Sequence, residues 1–145
     1  MMHVFLLLEI LIIICKIESS FLDVDKDSYY MPYIQWAYEK KIINGIGNGL
    51  FAPEQPVSRE QMAVIMDNYA EILGFTLPEN DQEKTFADSD KIAAYAKEAV
   101  SHLQIAGVIN GKNGNLFDPR GLTNRAESSA VLRRFIEMVI GKDKI

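Results

Sequence analysis

The chain has 145 residues, of which 48% are apolar and 24% charged, and it contains seven Phe, six Tyr and one Trp. This composition is typical of a globular protein with its own core and excludes an intrinsically disordered chain. The formal net charge of −5 argues against a general nucleic-acid binder, which needs a basic face for the phosphates. Cys15 is the only cysteine, so the chain can form no internal disulfide and no thiolate metal cage.

The first 20 residues contain an apolar run that has two interpretations. Residues 4–14 are almost entirely apolar, which is too short for a conventional membrane-spanning helix. The run suits the core of a secretory signal peptide, although no Lys or Arg precedes it. Alternatively, Met2-His3-Val4-Phe5-Leu6 aligns with Met62-Ala63-Val64-Ile65-Met66, which predicts the second helix of a truncated preceding repeat. Cleavage near Ser20 in secreted material would exclude the second interpretation.

The rest of the chain is an internal duplication. From the Asn-Gly pair onward the register is constant, with an offset of 66 residues, as from Asn44 to Asn110. The repeated motifs are Phe21-Leu22-Asp23 and Phe86-Ala87-Asp88, Ile43-Asn44-Gly45 and Ile109-Asn110-Gly111, Leu50-Phe51-Ala52-Pro53 and Leu116-Phe117-Asp118-Pro119, and Arg59 and Arg125. Repeats organise the fold, so we divide the chain into residues 21–75 and 86–141, a polar linker at 76–85 and a charged tail at 142–145.

The first repeat is predicted to form a helix, a glycine-rich loop and a second helix. Pro32 suits the opening turn of the first helix, which is expected to end at Asn44-Gly45. Leu50-Phe51 would make a very short extended piece. Ser58 and Gln61 fit a capping box at the start of the second helix. Its apolar stripe is predicted at Met62, Ile65, Met66, Tyr69 and Leu73, and Gly74 is expected to end it.

The second repeat follows the same plan. Its first helix is predicted over residues 92–106, with Gly107 near its end. Asn124 and Glu127 provide the cap of its second helix. One side of that helix is predicted to carry Ala130, Val131, Arg134, Phe135 and Met138, and Gly141 is expected to close it.

These motifs resemble the S-layer homology family, whose repeats run Phe-x-Asp-Val, helix, Gly-x-x-x-Gly, Phe-x-Pro and Thr-Arg-Ala-Glu. The first repeat has Phe21-Leu22-Asp23-Val24, Phe51-Ala52-Pro53 and Ser58-Arg59-Glu60-Gln61, and the second has Phe86-Ala87-Asp88-Ser89, Phe117-Asp118-Pro119 and Asn124-Arg125-Ala126-Glu127. The resemblance implies an all-α fold of tandem helix-loop-helix repeats. The family commonly arranges three repeats around a pseudo-threefold axis, so two complete repeats predict an incomplete bundle.

The resemblance also implies a non-catalytic anchor of a secreted bacterial protein, located in the cell wall or S-layer. Such anchors bind a secondary cell-wall polysaccharide non-covalently, often one that carries pyruvate ketals. The family's motif Arg lies in grooves between adjacent repeats, which indicates Arg59 and Arg125. A guanidinium can hold a carboxylate with two parallel hydrogen bonds. Free backbone N–H groups in the first helical turn would also favour an anion there.

Three further residues are candidates for polysaccharide binding. Asp23 and Asp88 would be either groove acids or carboxylates that organise a loop. Trp36 could stack on a sugar if its ring is exposed. Glu60 places a negative charge next to Arg59, so Arg125 is the preferred site residue.

The sequence has two alternative functional interpretations. As an assembly module, the chain would complete an S-layer homology bundle with another chain and have no polysaccharide site of its own. An enzyme is disfavoured, because no paired carboxylates, nucleophile or metal cluster stands at a useful spacing. The segment from Asp23 to Asp27 lacks the Gly and Glu of a calcium loop, and His3 and His102 have no ligand partner in sequence. We therefore expect no metal, no cofactor, no nucleic acid and no membrane-spanning segment.

Overall fold

The computed structural model describes residues 18–141. Residues 1–17, which carry the apolar run with the signal-peptide and truncated-repeat interpretations, lie outside the described residues. The charged tail at 142–145 also lies outside them. Four α-helices are present in residues 18–141: α1 Met31–Glu39, α2 Arg59–Ile72, α3 Lys97–Ile105 and α4 Arg125–Ile140. Between 18 and 141 there are isolated β-bridges and no strands, which confirms the all-α class. No helix in that range is long and apolar enough to cross a bilayer.

The chain divides into two compact units, with the boundary between Gln55 and Pro56. Unit 1 holds the first helix and the glycine-rich loop of the first repeat. Its core is small and consists of the buried side chains Phe21, Val24, Met31 and Ile34, with Phe51 packed against them. Pro32 stands in the first turn of α1, as predicted.

The end of α1 differs from the prediction. The helix ends at Glu39 and not at Asn44-Gly45. Lys41 adopts a left-handed conformation with φ of 61°, and the Ile42 N–H donates to the Ala37 carbonyl, which is the pattern of a Schellman cap. Ile42 is thereby buried. A left-handed non-glycine residue costs about 1–2 kcal/mol, and the burial of Ile42 offsets that cost.

This cap gives a stability prediction, because the second repeat has Gly107 where the first has Lys41. Gly107 has φ of 77° and closes α3 in the same way, with Val108 donating to the Leu103 carbonyl. Lys41→Gly should therefore stabilise unit 1 by about 0.5–1 kcal/mol. Lys40→Gly is the matched control, since Lys40 has a right-handed φ of −79°, and this change should destabilise the unit. Chemical denaturation of the three proteins measures both effects; stabilisation by both variants would contradict the prediction.

Gly45 has a different role from the helix stop that the sequence suggested. A Cβ at Gly45 would lie 2.5 Å from the Leu50 carbonyl oxygen and 2.5 Å from Cε1 of Phe21. Its equivalent in the second repeat, Gly111, would have a Cβ 2.9 Å from Cε1 of Phe86. The Asn-Gly pair therefore lets the repeated Phe pack directly against the loop backbone.

Unit 2 contains the second helix of the first repeat together with the second repeat. The capping boxes of α2 and α4 are both formed, which confirms the predictions for Ser58 with Gln61 and for Asn124 with Glu127. Gly141 closes α4. Helix α2 packs on α3, and the core includes Leu103, Val108, Phe117 and Phe135.

Two helix predictions in unit 2 need correction. The buried face of α2 consists of Ala63, Met66 and Ala70, whereas the predicted core residues Tyr69 and Leu73 are exposed. The helix predicted over residues 92–106 is shorter: 3₁₀ turns at Ser89–Lys91 and Ala94–Ala96 precede α3. Ile92 is extended, with ψ of 126°, because the Ala93 N–H donates to the Glu60 carboxylate across the unit and not to a helical carbonyl.

The polar segment at 76–85 is hydrogen-bonded to the last turn of α3. The backbone N–H groups of Asn80 and Asp81 both donate to the Ile105 carbonyl. The buried amide of Gln104 accepts from the Lys84 N–H and donates to the Gln82 carbonyl. These bonds satisfy a buried polar side chain that would otherwise destabilise the core.

A candidate ligand groove around Arg59

A carboxylate clamp shapes the loop on which the groove is built. The two oxygens of Asp88 accept hydrogen bonds from the N–H groups of Phe117 and Asp118, each at 2.8 Å. Asp118 has a left-handed φ of 58°, and the clamp stabilises that unfavourable conformation. Burial raises the pKa of Asp88, but the hydrogen bonds from Phe117 and Asp118 outweigh it, so the pKa lies below its ordinary value.

Unit 1 contains the same clamp. Asp23 accepts from the N–H groups of Phe51 and Ala52 at 2.8 and 2.7 Å, and Ala52 is again left-handed. The hydrogen bond from Phe51 is the main cause that lowers the pKa of Asp23. In both repeats the Asp of the Phe-x-Asp motif therefore organises the loop that carries Phe-x-Pro.

Arg59 is held in one orientation by the loop that Asp88 organises. Its Nε donates to the Phe117 carbonyl at 2.7 Å, and its Nη2 donates to the Asn110 carbonyl at 3.3 Å. The guanidinium carbon lies 5.3 Å from the centre of the Phe117 ring, a cation–π contact. Only 10% of the side chain is exposed. Arg59 and Asp88 thus bond the same residue, Arg59 its carbonyl and Asp88 its N–H.

The first turn of α2 is not a free anion site. The Arg59 N–H donates to the Gly121 carbonyl and the Glu60 N–H to the Pro119 carbonyl, both at 3.0 Å. The Ser58 hydroxyl accepts from Gln61 N. The prediction of free N–H groups beside this arginine is wrong for the first repeat, because the loop after Phe117 occupies them. A ligand here must be bound by side chains.

An open groove of about 220 Å³ lies beside Arg59 within unit 2. Three cationic side chains line it: Arg59, Lys112 and Arg134. The Glu127 carboxylate lies between two of them, 3.9 Å from Nη1 of Arg59 and 3.8 Å from Nζ of Lys112. Apolar side chains complete the wall, namely Met62, Ile109, Phe117, Ala130 and Val131. The groove therefore combines a cationic cluster with an apolar floor.

Each polar group of the groove is positioned by its own local structure. Glu127 is the N3 residue of α4, and its Oε2 accepts from the Asn124 N–H in the capping box. Nζ of Lys112 donates to Asp118 at 2.8 Å, and this bond is the main cause that lowers the pKa of Asp118. Nη1 of Arg134 donates to the Val108 carbonyl at 3.4 Å.

Glu60 was expected to place its charge beside Arg59. In the structure it is buried, and its Oε2 accepts from the Ala93 N–H at 3.0 Å. Burial and the nearby Glu60 carboxylate, which accepts from the Tyr95 hydroxyl, raise the pKa of Tyr95. The Glu60 carboxylate is therefore engaged with the start of the second repeat and does not line the groove.

The other predicted site residues lie elsewhere. Arg125 is exposed at the first turn of α4, and its side chain forms no hydrogen bond or ion pair with residues 18–141. Trp36 is on α1 in unit 1 and is 51% exposed. Asp23 is also in unit 1. Of the predicted residues, the structure brings together Arg59 and Asp88.

Sequence reasoning missed Lys112 and Arg134, and it treated Glu127 only as a capping residue. A signal for Lys112 was available, because it follows directly on the repeated Asn-Gly pair, where the first repeat has Ile46. No group of three His, Cys, Asp or Glu side chains between residues 18 and 141 is arranged to hold a metal ion.

Comparison with known proteins agrees with this architecture. The family model of the S-layer homology domain matches residues 20–63 and 85–127, together more than half of the chain. The chain is 33% identical over 120 residues to the exoglucanase XynX of Acetivibrio thermocellus, covering 83% of this chain and 11% of that protein. It is 31% identical over 114 residues to an S-layer protein of Bacillus thuringiensis subsp. finitimus, covering 79% of this chain and 13% of that protein.

A cellulosome-anchoring protein of Acetivibrio thermocellus is 26% identical over 113 residues, covering 77% of this chain and 25% of that protein. The chain therefore spans at most a quarter of the length of these three relatives. The chain belongs to the S-layer homology family. This domain is a non-catalytic one found at the bacterial cell surface. The relatives with enzyme names contain it only as a small part of a longer protein.

Proposed function

We propose that this chain anchors a secreted protein to the bacterial cell wall or S-layer by binding an acidic secondary cell-wall polysaccharide in the Arg59 groove. The observation that carries the proposal is the fixed orientation of Arg59. Two backbone carbonyls and the Phe117 ring hold its guanidinium at the edge of the groove. A pre-oriented guanidinium loses less conformational entropy when it binds a carboxylate than a mobile one does.

The charges of the groove favour an anionic group. Three cations and one carboxylate line it, although the chain as a whole has a net charge of −5. Because Arg59 is nearly buried, its attraction for an anion is less screened than at an exposed site. A pyruvate ketal places a planar carboxylate on a sugar ring, and this geometry suits a guanidinium.

The apolar wall suits the remainder of a sugar. Met62 and Val131, both half-buried, offer surfaces for the C–H face of a pyranose ring, while the cations bind the carboxylate. The small volume of the groove fits one substituted sugar of a polymer rather than a long segment. The names of the relatives, an S-layer protein and a cellulosome-anchoring protein, support a surface-anchoring role for the shared domain.

Purified cell walls test this proposal. The chain should sediment with walls from a bacterium that makes a pyruvylated polymer, and it should stay in solution once that polymer has been extracted. Walls that bind equally well before and after extraction would contradict the proposal. Bovine serum albumin at equal concentration controls for trapping in the pellet.

Glu127→Gln should strengthen binding of the acidic polymer by about fivefold. The change keeps the capping box, because Gln serves the same role at Gln61 in the first repeat. It removes the one carboxylate that lies within 4 Å of Arg59 and Lys112, and with it a repulsion of about 1 kcal/mol toward an anionic ligand. Titration calorimetry at low and high salt measures the gain, which should shrink as salt rises. Weaker binding by this variant would show that Glu127 contacts the sugar directly.

A further inference from the structure

One helix–helix interface in unit 2 has both of its sides repeated elsewhere in the chain. Helix α2 packs on α3 through Ala63, Met66 and Ala70, all buried. The internal duplication makes α4 the equivalent of α2, and α1 the equivalent of α3. The two sides of the α2–α3 interface therefore recur as one face of α4 and one face of α1.

The recurring face of α4 is apolar and exposed. Leu132 and Ile136 stand at the positions of Met66 and Ala70. Met66 is 9% exposed and Ala70 2%, whereas Leu132 is 49% exposed and Ile136 38%. Ile140, one turn further, is also exposed. Burial of such apolar side chains is favourable, so this stripe favours a partner helix.

The recurring face of α1 is aromatic and also exposed. Tyr33 stands at the position of Ala99, which is 5% exposed, yet Tyr33 is 71% exposed. Trp36, at the position of His102, is 51% exposed. Exposed aromatic side chains on one helix face are typical of an interface that buries them in a complex.

The polar contact between α2 and α3 has an equivalent pair of residues on α4 and α1. In unit 2, Nδ1 of His102 on α3 lies 3.2 Å from the Asp67 carboxylate on α2. The equivalent pair is Trp36 on α1 and Arg133 on α4. An indole face and a guanidinium attract each other through a cation–π contact. Both members of the His102–Asp67 pair are therefore replaced together by a different pair that still attracts.

We propose that the Leu132–Ile136 face of α4 binds the Tyr33–Trp36 face of α1 from a second copy of this chain. The contact repeats the α2–α3 packing in trans, and it brings Arg125 to the Asn44–Phe51 loop of that copy, as Arg59 lies against Asn110 and Phe117. It joins two different surfaces, so an open assembly always has one free α1 face and one free α4 face, and copies can add until a ring closes.

Sedimentation of the full chain without wall polymer tests this contact independently of polysaccharide binding. The wild-type chain should associate as its concentration rises. Two double variants, Leu132→Glu with Ile136→Glu and Tyr33→Glu with Trp36→Glu, should each stay monomeric. Both place charge on surfaces that are already exposed, and circular dichroism checks that they fold. Leu73→Glu is the control, since Leu73 is 46% exposed at the end of α2 and lies on neither face; it should associate like the wild type.

Mixing the two double variants gives the sharpest result. Each retains one intact face, so an equimolar mixture should form a 1:1 dimer that neither variant forms alone. A wild-type chain that stays monomeric at all concentrations would overturn the proposal. So would double variants that associate like the wild type, or a mixture that forms no dimer.

Discussion

Arg59→Gln is expected to weaken binding of the acidic wall polymer by about 10- to 100-fold. A charge-assisted hydrogen bond contributes about 1.5–3 kcal/mol, which corresponds to this range. The guanidinium is the one groove cation that is fixed by two backbone carbonyls and a ring, so its loss removes the oriented donor. Titration calorimetry with released polymer gives the affinity, and thermal unfolding reports any loss of stability separately.

Two matched variants separate charge from geometry at this position. Arg59→Lys keeps the charge but replaces the planar fork by a compact ammonium, which cannot give two parallel hydrogen bonds to one carboxylate, so it should restore only a small part of the affinity. Arg125→Gln changes the same motif position in the second repeat. At concentrations where the chain is monomeric, it should change affinity less than twofold, because Arg125 is exposed and forms no side-chain bond with residues 18–141. Equal losses from Arg59→Gln and Arg125→Gln would contradict the assignment.

Asp88→Asn is expected to destabilise unit 2 by about 2–3 kcal/mol. The carboxylate accepts hydrogen bonds from two backbone N–H groups in a buried setting, and an amide can accept only one of them. Asp118, left-handed in the clamp, would lose its support. Urea denaturation followed by the helical circular dichroism signal measures the change, since α2, α3 and α4 all lie in unit 2. Asp23→Asn is the matched variant of the exposed clamp in unit 1 and should have a smaller effect.

The same carboxylate predicts a dependence of stability on pH. The pKa of Asp88 is lowered in the folded state, so its contribution is fully present above the unfolded pKa of about 3.9. The contribution is lost as the pH falls through the folded value, because protonation removes the acceptor. Unfolding free energies measured from pH 6 down to pH 2 should fall more steeply for wild type than for Asp88→Asn. Parallel curves would contradict the role of the clamp.

Local signals in the sequence predicted the repeat and the starts of α1, α2 and α4. The capping boxes at Ser58 and Asn124 depend on residues three apart, and both are formed as predicted. The end of α1 and the start of α3 could not be predicted from neighbouring residues. The left-handed cap at Lys41 depends on burying Ile42, and the late start of α3 depends on a bond from Ala93 to Glu60, 33 residues away.

The residues of the candidate site could likewise be predicted only in part from local sequence. The motif pointed to both Arg59 and Arg125, but the sequence could not show which arginine has a loop to lie against. Arg59 has the loop of the following repeat, with Phe117 and Asn110 as acceptors. The adjacent Glu60 made Arg125 seem preferable, because the sequence does not show that Glu60 is turned toward Ala93. Contacts between residues more than 50 positions apart decide between the two.

The proposed anchoring function depends on the binding, in the Arg59 groove, of a carboxylate carried by a wall polysaccharide. Its most direct test is calorimetric titration of the wild-type chain with released polymer and with the same polymer after chemical reduction of its carboxyl groups. Intact polymer should bind saturably, with salt-dependent affinity, and reduction should weaken binding by at least about tenfold. Equal affinity for the intact and the reduced polymer would contradict a carboxylate-binding groove at Arg59.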